Sequence, residues 1–314
     1  MQSAHHKPDA KSLREAALKL SMPKKRPVLK NRRRLHGRDK ELVAVGDLHG
    51  ELDGILEILL HAGLIDFRAR WKGGNKTLVQ LGDVIDRGPH SMDVNNLLAR
   101  LQREAELKGG KVVRLLGNHE LELLRGNSYL TTLPPEQAGE YRRRLAGDIL
   151  NGNVLAAYSQ QGYLFTHAGL TGEMLGLLAR SDGPLPSDEA GLADLINKIT
   201  AQAFMRNDYS HSIFNIGASR GGRYRHGGIF WEDVRLLFAS EGAAGIKQVV
   251  GHTPLKRVIQ SEGGRLTALD VGIYKGYGGG RAYIRMKRGR ISIVELALPA
   301  AVPFLQYSIS GTQY

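Results

Sequence analysis

Short apolar runs, each followed at once by a glycine and then by polar residues, recur along the first half of the chain. Leu42-Val-Ala-Val45 precedes Gly46-Asp47-Leu48-His49-Gly50, and Glu51 to Leu60 then carries Leu52, Ile55, Leu56, Leu59 and Leu60 at helical spacing. Thr77 to Leu81 repeats the pattern, with Gly82-Asp83-Val84-Ile85-Asp86-Arg87-Gly88 as its loop and Ser91 to Lys108 as its helix. A third copy runs from Lys111 to Leu116 into Gly117-Asn118-His119-Glu120, with a helix starting near Leu121. Three strand, loop and helix units in succession predict a parallel sheet in an α/β fold, with polar residues gathered at the strands' C-terminal edge.

Residues 126 to 160 are less periodic. They contain Pro134-Pro135 and Arg142-Arg143-Arg144, read as helices with surface loops, and carry no recognisable chemistry. Tyr163 to Thr166 predicts a strand ending in His167-Ala168-Gly169. Residues 171 to 227 read as an insertion with one helical stretch, Ala190 to Phe204, and a Gly- and Arg-rich segment, Gly217 to Gly228, placed to shape access to a site. Gln248-Val-Val250 delivers Gly251-His252-Thr253-Pro254. Arg265 to Val271, Arg281 to Met286 and Arg290 to Leu296 alternate like antiparallel strands with glycine turns between them, which predicts a second sheet.

Charge changes this picture only at the N-terminus. The 314-residue chain has a net charge of +13, yet residues 1 to 40 hold 13 Lys or Arg against 3 acids, and the remainder is nearly balanced. This basic arm, with Lys24-Lys-Arg26 and Arg32-Arg-Arg34 between prolines, reads as a disordered solubilising segment, with Ala10 to Leu20 as its one amphipathic stretch. The alternatives are contact with nucleic acid or another polyanion through residues 24 to 40, or an organellar transit segment. A compact unit is expected over residues 41 to 299, followed by a loosely attached tail over 300 to 314. There is no cysteine, which excludes disulfides, thiolate zinc sites and cysteine nucleophiles. No run of 18 apolar residues and no apolar h-region is present, so the expected location is cytoplasmic, with no membrane contact.

The residues that follow strands form one constellation: Asp47, His49, Asp83, Asn118, His167 and His252. Oxygen and nitrogen ligands without sulfur suit two divalent cations of the Mn, Fe or Zn type, Mn first among them for work in vitro. Asp83, with two carboxylate oxygens, is the candidate bridge. Asp47 and His49 complete one ion, and Asn118, His167 and His252 the other. A water shared by such ions loses a proton near neutral pH and becomes a nucleophile. His119 lies beside the ligands as a proton donor for a departing alkoxide, Asp86 orients its imidazole, and Arg87 offers a planar fork to phosphate oxygens. Singly, each of these residues has a plainer reading as a helix cap, a structural histidine or a surface ion pair. Their order after successive apolar strands points to metal and phosphate chemistry.

With these residues in place the chain resembles the calcineurin-like metallophosphoesterases, and within them the phosphoprotein phosphatase group. Asp47-x-His49, Asp83-x-x-Asp86-Arg87-Gly88 and Asn118-His119-Glu120 match its first three motifs, and His167 and His252 its two later histidines. The resemblance covers roughly residues 41 to 297. It implies a four-layer αββα sandwich, two mixed sheets flanked by helices, with a dinuclear centre at the sheet edge. It also implies the ligand roles above, a proton-donor pair of His119 with Asp86, and phosphate contacts from Arg87 and Asn118. His167-Ala168-Gly169 stands where eukaryotic serine/threonine phosphatases have His-Gly-Gly, so the chain looks more like the bacterial-type branch that includes the Shewanella-like phosphatases. Arg220, Arg223 and Arg225 are equal candidates for a second phosphate-binding arginine.

The expected function is that of a metal-dependent phosphomonoester hydrolase acting on a phosphorylated protein or peptide. The alternatives are a nucleotide or dinucleoside polyphosphate hydrolase and a non-catalytic phosphate-binding adaptor. Asp86-Arg87 argues against the symmetrical diadenosine tetraphosphate hydrolases, which resemble the chain elsewhere but differ there. The presence of His119 argues against a mere binder, which needs no proton donor.

Overall fold

The computed structural model describes residues 40–127, 131–240, 242 and 245–297. The basic arm except Lys40, the amphipathic stretch at 10–20 and the tail from 300 lie outside the described residues.

Two mixed sheets face each other. The first has the order β11-β10-β1-β2-β3-β4. Its parallel centre is β1 (Leu42–Val45), β2 (Thr77–Gln80) and β3 (Lys111–Leu115), joined by α1 (Leu52–His61) and α2 (Ser91–Leu107) as the periodicity predicts. Every residue of β1 and β2 is buried, because helices cover one face and the second sheet the other. Two-residue β4 (Val154–Leu155) extends the sheet beyond β3. The second sheet has the order β5-β6-β7-β9-β8, from β5 (Ala157–Gln160), β6 (Tyr163–Thr166), β7 (Gln248–Val250), β8 (Ile259–Gln260) and β9 (Leu266–Ala268). Along β6, Tyr163 and Phe165 join the core between the sheets. Leu164 points the other way, into a second cluster with Leu192 and Ile196.

Three expectations are corrected. The C-terminal strands do not make a second sheet of their own. The hairpin of β10 (Ala282–Lys287) and β11 (Arg290–Glu295) returns to the first sheet, antiparallel to β1 with Leu42 opposite Met286, whereas β9 lies parallel to β7. Alternation reports a half-buried strand but not its partner, which here lies 240 to 244 positions away. The helix after β3, α3 (Asn118–Leu124), begins at Asn118 and not near Leu121. Its first turn is closed by Glu120, whose carboxylate accepts the Gly117 N–H at 2.9 Å. Among the described residues from 126 to 160 there is one helix, α4 (Pro135–Leu150), followed by the strands β4 and β5.

A fourth expectation is corrected in the segment 171–227, which contains two helices and not one: α5 (Gly172–Asp182), which the spacing did not reveal, and α6 (Glu189–Arg206), which covers the expected stretch. Thr171 caps the first and Asp188 the second, each through a side-chain oxygen. A short α7 (Val234–Ala239) follows, started by Asp233. Among the described residues no helix is long and apolar enough to cross a membrane. The C-terminal ends of β1, β2, β3, β6 and β7 lead into Asp47, Asp83, Asn118, His167 and His252, so both sheets present those ends to one place and their N-terminal ends to the opposite one.

Candidate metal and phosphate site

The loops that carry the site are held in backbone conformations that most side chains avoid. His49, Asp83, Asp86, Arg87 and His252 all have positive φ, between 44° and 72°. Such positions persist only where surrounding contacts over-determine them. The chief contact is Glu120. One of its oxygens accepts from the backbone N–H groups of Asp83 and Gly117, both at 2.9 Å, and the other from Val84 at 2.9 Å and Ile85 at 3.1 Å. Gly117 is required beside them, because a Cβ there would collide with the Asp83 carboxylate.

The six candidate ligands converge, with His119, Asp86 and Arg87 beside them. Asp83 lies between two groups, His49 and His119 on one side and His167 and His252 on the other. Its Oδ2 is 3.6 Å from Nε2 of His49 and 3.6 Å from Nε2 of His167. Asn118 Oδ1 is 2.9 Å from His167 Nε2 and 2.9 Å from His252 Nδ1. Asp47 completes the group, accepting the His252 backbone N–H at 3.1 Å and lying 3.9 Å from His167 Nδ1.

The donor set fits cations. His49 Nδ1 is 3.0 Å from the Ile85 carbonyl and His167 Nδ1 is 2.8 Å from that of Leu81. Each ring therefore gives its proton to the backbone and turns a bare Nε2 lone pair inward. Around His167 Nε2 this leaves acceptor against acceptor, Asn118 Oδ1 and the Asp83 carboxylate, an arrangement that a shared cation satisfies and a hydrogen bond does not. Charge tells the same story. Burial raises the Asp47 carboxyl well above its ordinary value, and the neighbouring Asp270 and Asp83 add to the rise. Burial and then Asp83 push Glu120 up to about 7, even though four N–H donors favour its charged form. Burial lowers His49 to about 4 and depresses His167 and His252, so all three imidazoles are neutral and ligand-ready at neutral pH.

His119 differs. Burial alone would lower it, but the Asp83 and Asp86 carboxylates outweigh burial and push it up to about 8. Its Nδ1 is 2.6 Å from Asp86 Oδ2, and its Nε2 is 3.3 Å from Arg87 Nη2. The other Asp86 oxygen accepts from the Thr131 hydroxyl and, at 3.0 Å, from the Thr132 N–H. These threonines lie in the stretch that the sequence reads as free of chemistry. Nothing local marks them, since they meet Asp86 across 45 and 46 positions. Glu120 did carry a signal, a carboxylate three residues after the strand-ending glycine.

A cavity of about 370 Å³ opens over these groups. Arg87, Arg220, Trp231 and Tyr277 are among its walls, and Tyr277 lies 5.0 Å under the Arg87 guanidinium. Of the three candidate arginines only Arg220 lines the cavity, held by Thr253 Oγ1 at 2.5 Å and Asp233 at 3.5 Å, with its buried Nε unpartnered. Arg223 instead bonds the Tyr224 hydroxyl on the surface.

Residues 41–285 match the family described as calcineurin-like phosphoesterase. A Schizosaccharomyces pombe protein named as uncharacterized, C1840.07c, is 30% identical over 277 residues, covering 80% of this chain and 79% of that protein. Shewanella-like protein phosphatase 2 of Arabidopsis thaliana is 47% identical over 88 residues, which span 28% of this chain and only 22% of that protein. A cold-active protein-tyrosine phosphatase from a psychrophilic Shewanella species shares the fold, with a TM-score of 0.58 and 21% identity, covering 82% of this chain and 81% of that one. The chain belongs to the calcineurin-like phosphoesterases and is similar to members of the Shewanella-like branch.

Proposed function

We propose that this phosphoesterase is a phosphoprotein phosphatase that cleaves phosphomonoesters of protein side chains. The observation that carries the reading is the His119 imidazole, bonded to Asp86 at 2.6 Å and set beside Arg87 at the mouth of two ligand groups that share Asp83. Asp47, His49 and Asp83 would hold one divalent cation, and Asp83, Asn118, His167 and His252 the other, with Mn the first choice for loading. Bound there, such ions neutralise phosphate charge and acidify water.

The protein's own groups supply the rest. Arg87 and Arg220 face the cavity from opposite loops and grip the non-bridging phosphate oxygens, where charge builds as the ester bond breaks. Asn118 donates its amide N–H to the same oxygens. His119 holds one proton on Nδ1 against Asp86 and gives the proton on Nε2 to the departing serine, threonine or tyrosine oxygen. Raised to about 8, it carries that proton at neutral pH. The cavity of about 370 Å³ is at the small end for ligand sites. It accommodates a phosphate and one side chain, whereas most of a dinucleoside polyphosphate would lie outside it.

The test is hydrolysis of phosphoserine, phosphothreonine and phosphotyrosine peptides beside diadenosine tetraphosphate, with Mn or with chelator. Turnover of the phosphopeptides that requires Mn and falls in His119→Asn supports the reading. Turnover of the dinucleotide alone overturns it.

A further inference from the structure

The end of the molecule opposite the site carries a row of cations. Parallel strands of both sheets begin there, and many are preceded or opened by a basic residue: Lys40 before β1, Lys76 before β2, Lys111 opening β3, Lys247 before β7 and Arg265 before β9. The β10–β11 turn adds Lys287, Arg288 and Arg290 at the same end, because β10 runs antiparallel to β1 and Met286 lies opposite Leu42. Gln161 ties these pieces together, giving its amide to the Lys40 carbonyl at 2.8 Å and accepting the Gly289 N–H at 2.8 Å. The acids nearby are few among the described residues. Glu41 is shared between Lys76 at 3.2 Å and Arg285 at 2.6 Å, and Glu106 and Glu262 lie on the flanks.

Strands lie about 4.8 Å apart, so cations at successive strand starts form a closely spaced line. Lys40 and Lys111 are near enough that burial first, and then the charge of Lys40, lower Lys111 below the ordinary amine value. Two of the ammonium groups are held over rings, Lys111 at 4.5 Å from the Tyr158 centroid and Lys247 at 5.4 Å from that of Tyr163. Beside the line, Arg285, Lys287, Arg288 and Arg290 wall a shallow groove with Glu41 and Ser292. The chain also enters β1 from this end, so residues 1–40, with 13 Lys or Arg against 3 acids, join the body where its own positive charge is concentrated.

We infer that this face, from the strand starts to the β10–β11 turn, is a docking surface for the phosphate backbone of a nucleic acid, with the catalytic cavity left open at the other end. A line of Lys and Arg with few acids is the footprint of backbone binding without base readout. Attachment to a bilayer needs an apolar face beside the cations, and here the tyrosines in the row lie under the lysines.

The experiment uses the full chain and a fluorescein-labelled 20-nucleotide single-stranded RNA, followed by anisotropy between 50 and 200 mM salt. The triple variant Lys287→Gln, Arg288→Gln and Arg290→Gln should bind at least tenfold more weakly at the upper salt. Its plot of log affinity against log salt should be shallower by about 2, since each phosphate contact on a single strand contributes about 0.7. Turnover of p-nitrophenyl phosphate should be unchanged, which shows that the variant is folded. Parent-like affinity and slope in the triple variant would overturn the inference by leaving all binding to the arm. So would binding of the parent to phosphatidylserine vesicles but not to the RNA.

Discussion

Replacing Glu120 by Gln tests how the site is held together. The carboxylate accepts four backbone N–H groups from the two loops that carry Asp83, Asp86, Arg87 and Asn118. Glutamine has a single carbonyl oxygen, so two of the four donors lose their acceptor and face the amide's own N–H. Each buried donor left unpaired costs about 1–3 kcal/mol, giving a loss of about 2–6 kcal/mol. That is a large part of the ~5–15 kcal/mol by which a domain is stable. At about 2–4 °C per kcal/mol for a domain of this size, a mid-range loss of about 4 kcal/mol lowers the melting temperature by about 8–16 °C. Turnover should fall as well, by about a hundredfold if the loop shifts by about 1 Å. Melting of the Mn-loaded protein and p-nitrophenyl phosphate hydrolysis measure the two effects. A Glu120→Gln protein that melts with the parent and keeps its rate would refute the claim that this carboxylate holds the loop.

Three further outcomes follow from the same geometry. In chelator, stability should fall as pH rises from about 6.5 to about 8. Over that window Glu120 and Asp270, raised to about 7, and His119, raised to about 8, hold protons in the folded state that the unfolded chain gives up at lower pH, while the lowered His49, His167 and His252 are neutral when folded and oppose the fall only near pH 6.5, where unfolded imidazoles still carry part of their charge. Mn should abolish the fall; equal slopes in melts with and without Mn would count against a cation-neutralised carboxylate cluster. Thr131→Val removes the hydroxyl that Asp86 accepts and should slow alkyl phosphates about tenfold, a fraction of the ~10²–10⁴ of a general acid, while sparing good leaving groups. Thr131→Ser should restore the rate, and a uniform loss across leaving groups would argue for a merely structural role. Arg220→Ala should raise KM about tenfold or more, from loss of a charged hydrogen bond of about 1.5–3 kcal/mol, and an unchanged KM would remove Arg220 from the phosphate site.

How far the sequence could be read depended on the distance over which each signal acts. The strand, loop and helix units at Asp47, Asp83 and Asn118 were legible because apolar runs and helical spacing are local, and the ligands follow strand ends directly. His167 and His252 could be placed for the same reason. The β10–β11 hairpin was legible as strands but not as part of the first sheet, since its pairing with β1 is decided by packing across the whole chain. The Thr131 and Thr132 contacts to Asp86 left no mark in the sequence, because a threonine in a loop looks the same whether or not a carboxylate meets it in space. The choice of Arg220 over Arg223 and Arg225 likewise needed the direction of each side chain, which residue type alone does not give.

Whether His119 delivers the proton to the leaving oxygen is read from kcat/KM for a series of Mn-supported phosphate monoesters with leaving groups from nitrophenol to simple alcohols, for the parent and His119→Asn. With His119 as the donor, the dependence on leaving-group pKa is shallow in the parent and steep in the variant, with the two converging at nitrophenol. Parallel lines, with the variant slower by one constant factor throughout, would contradict it.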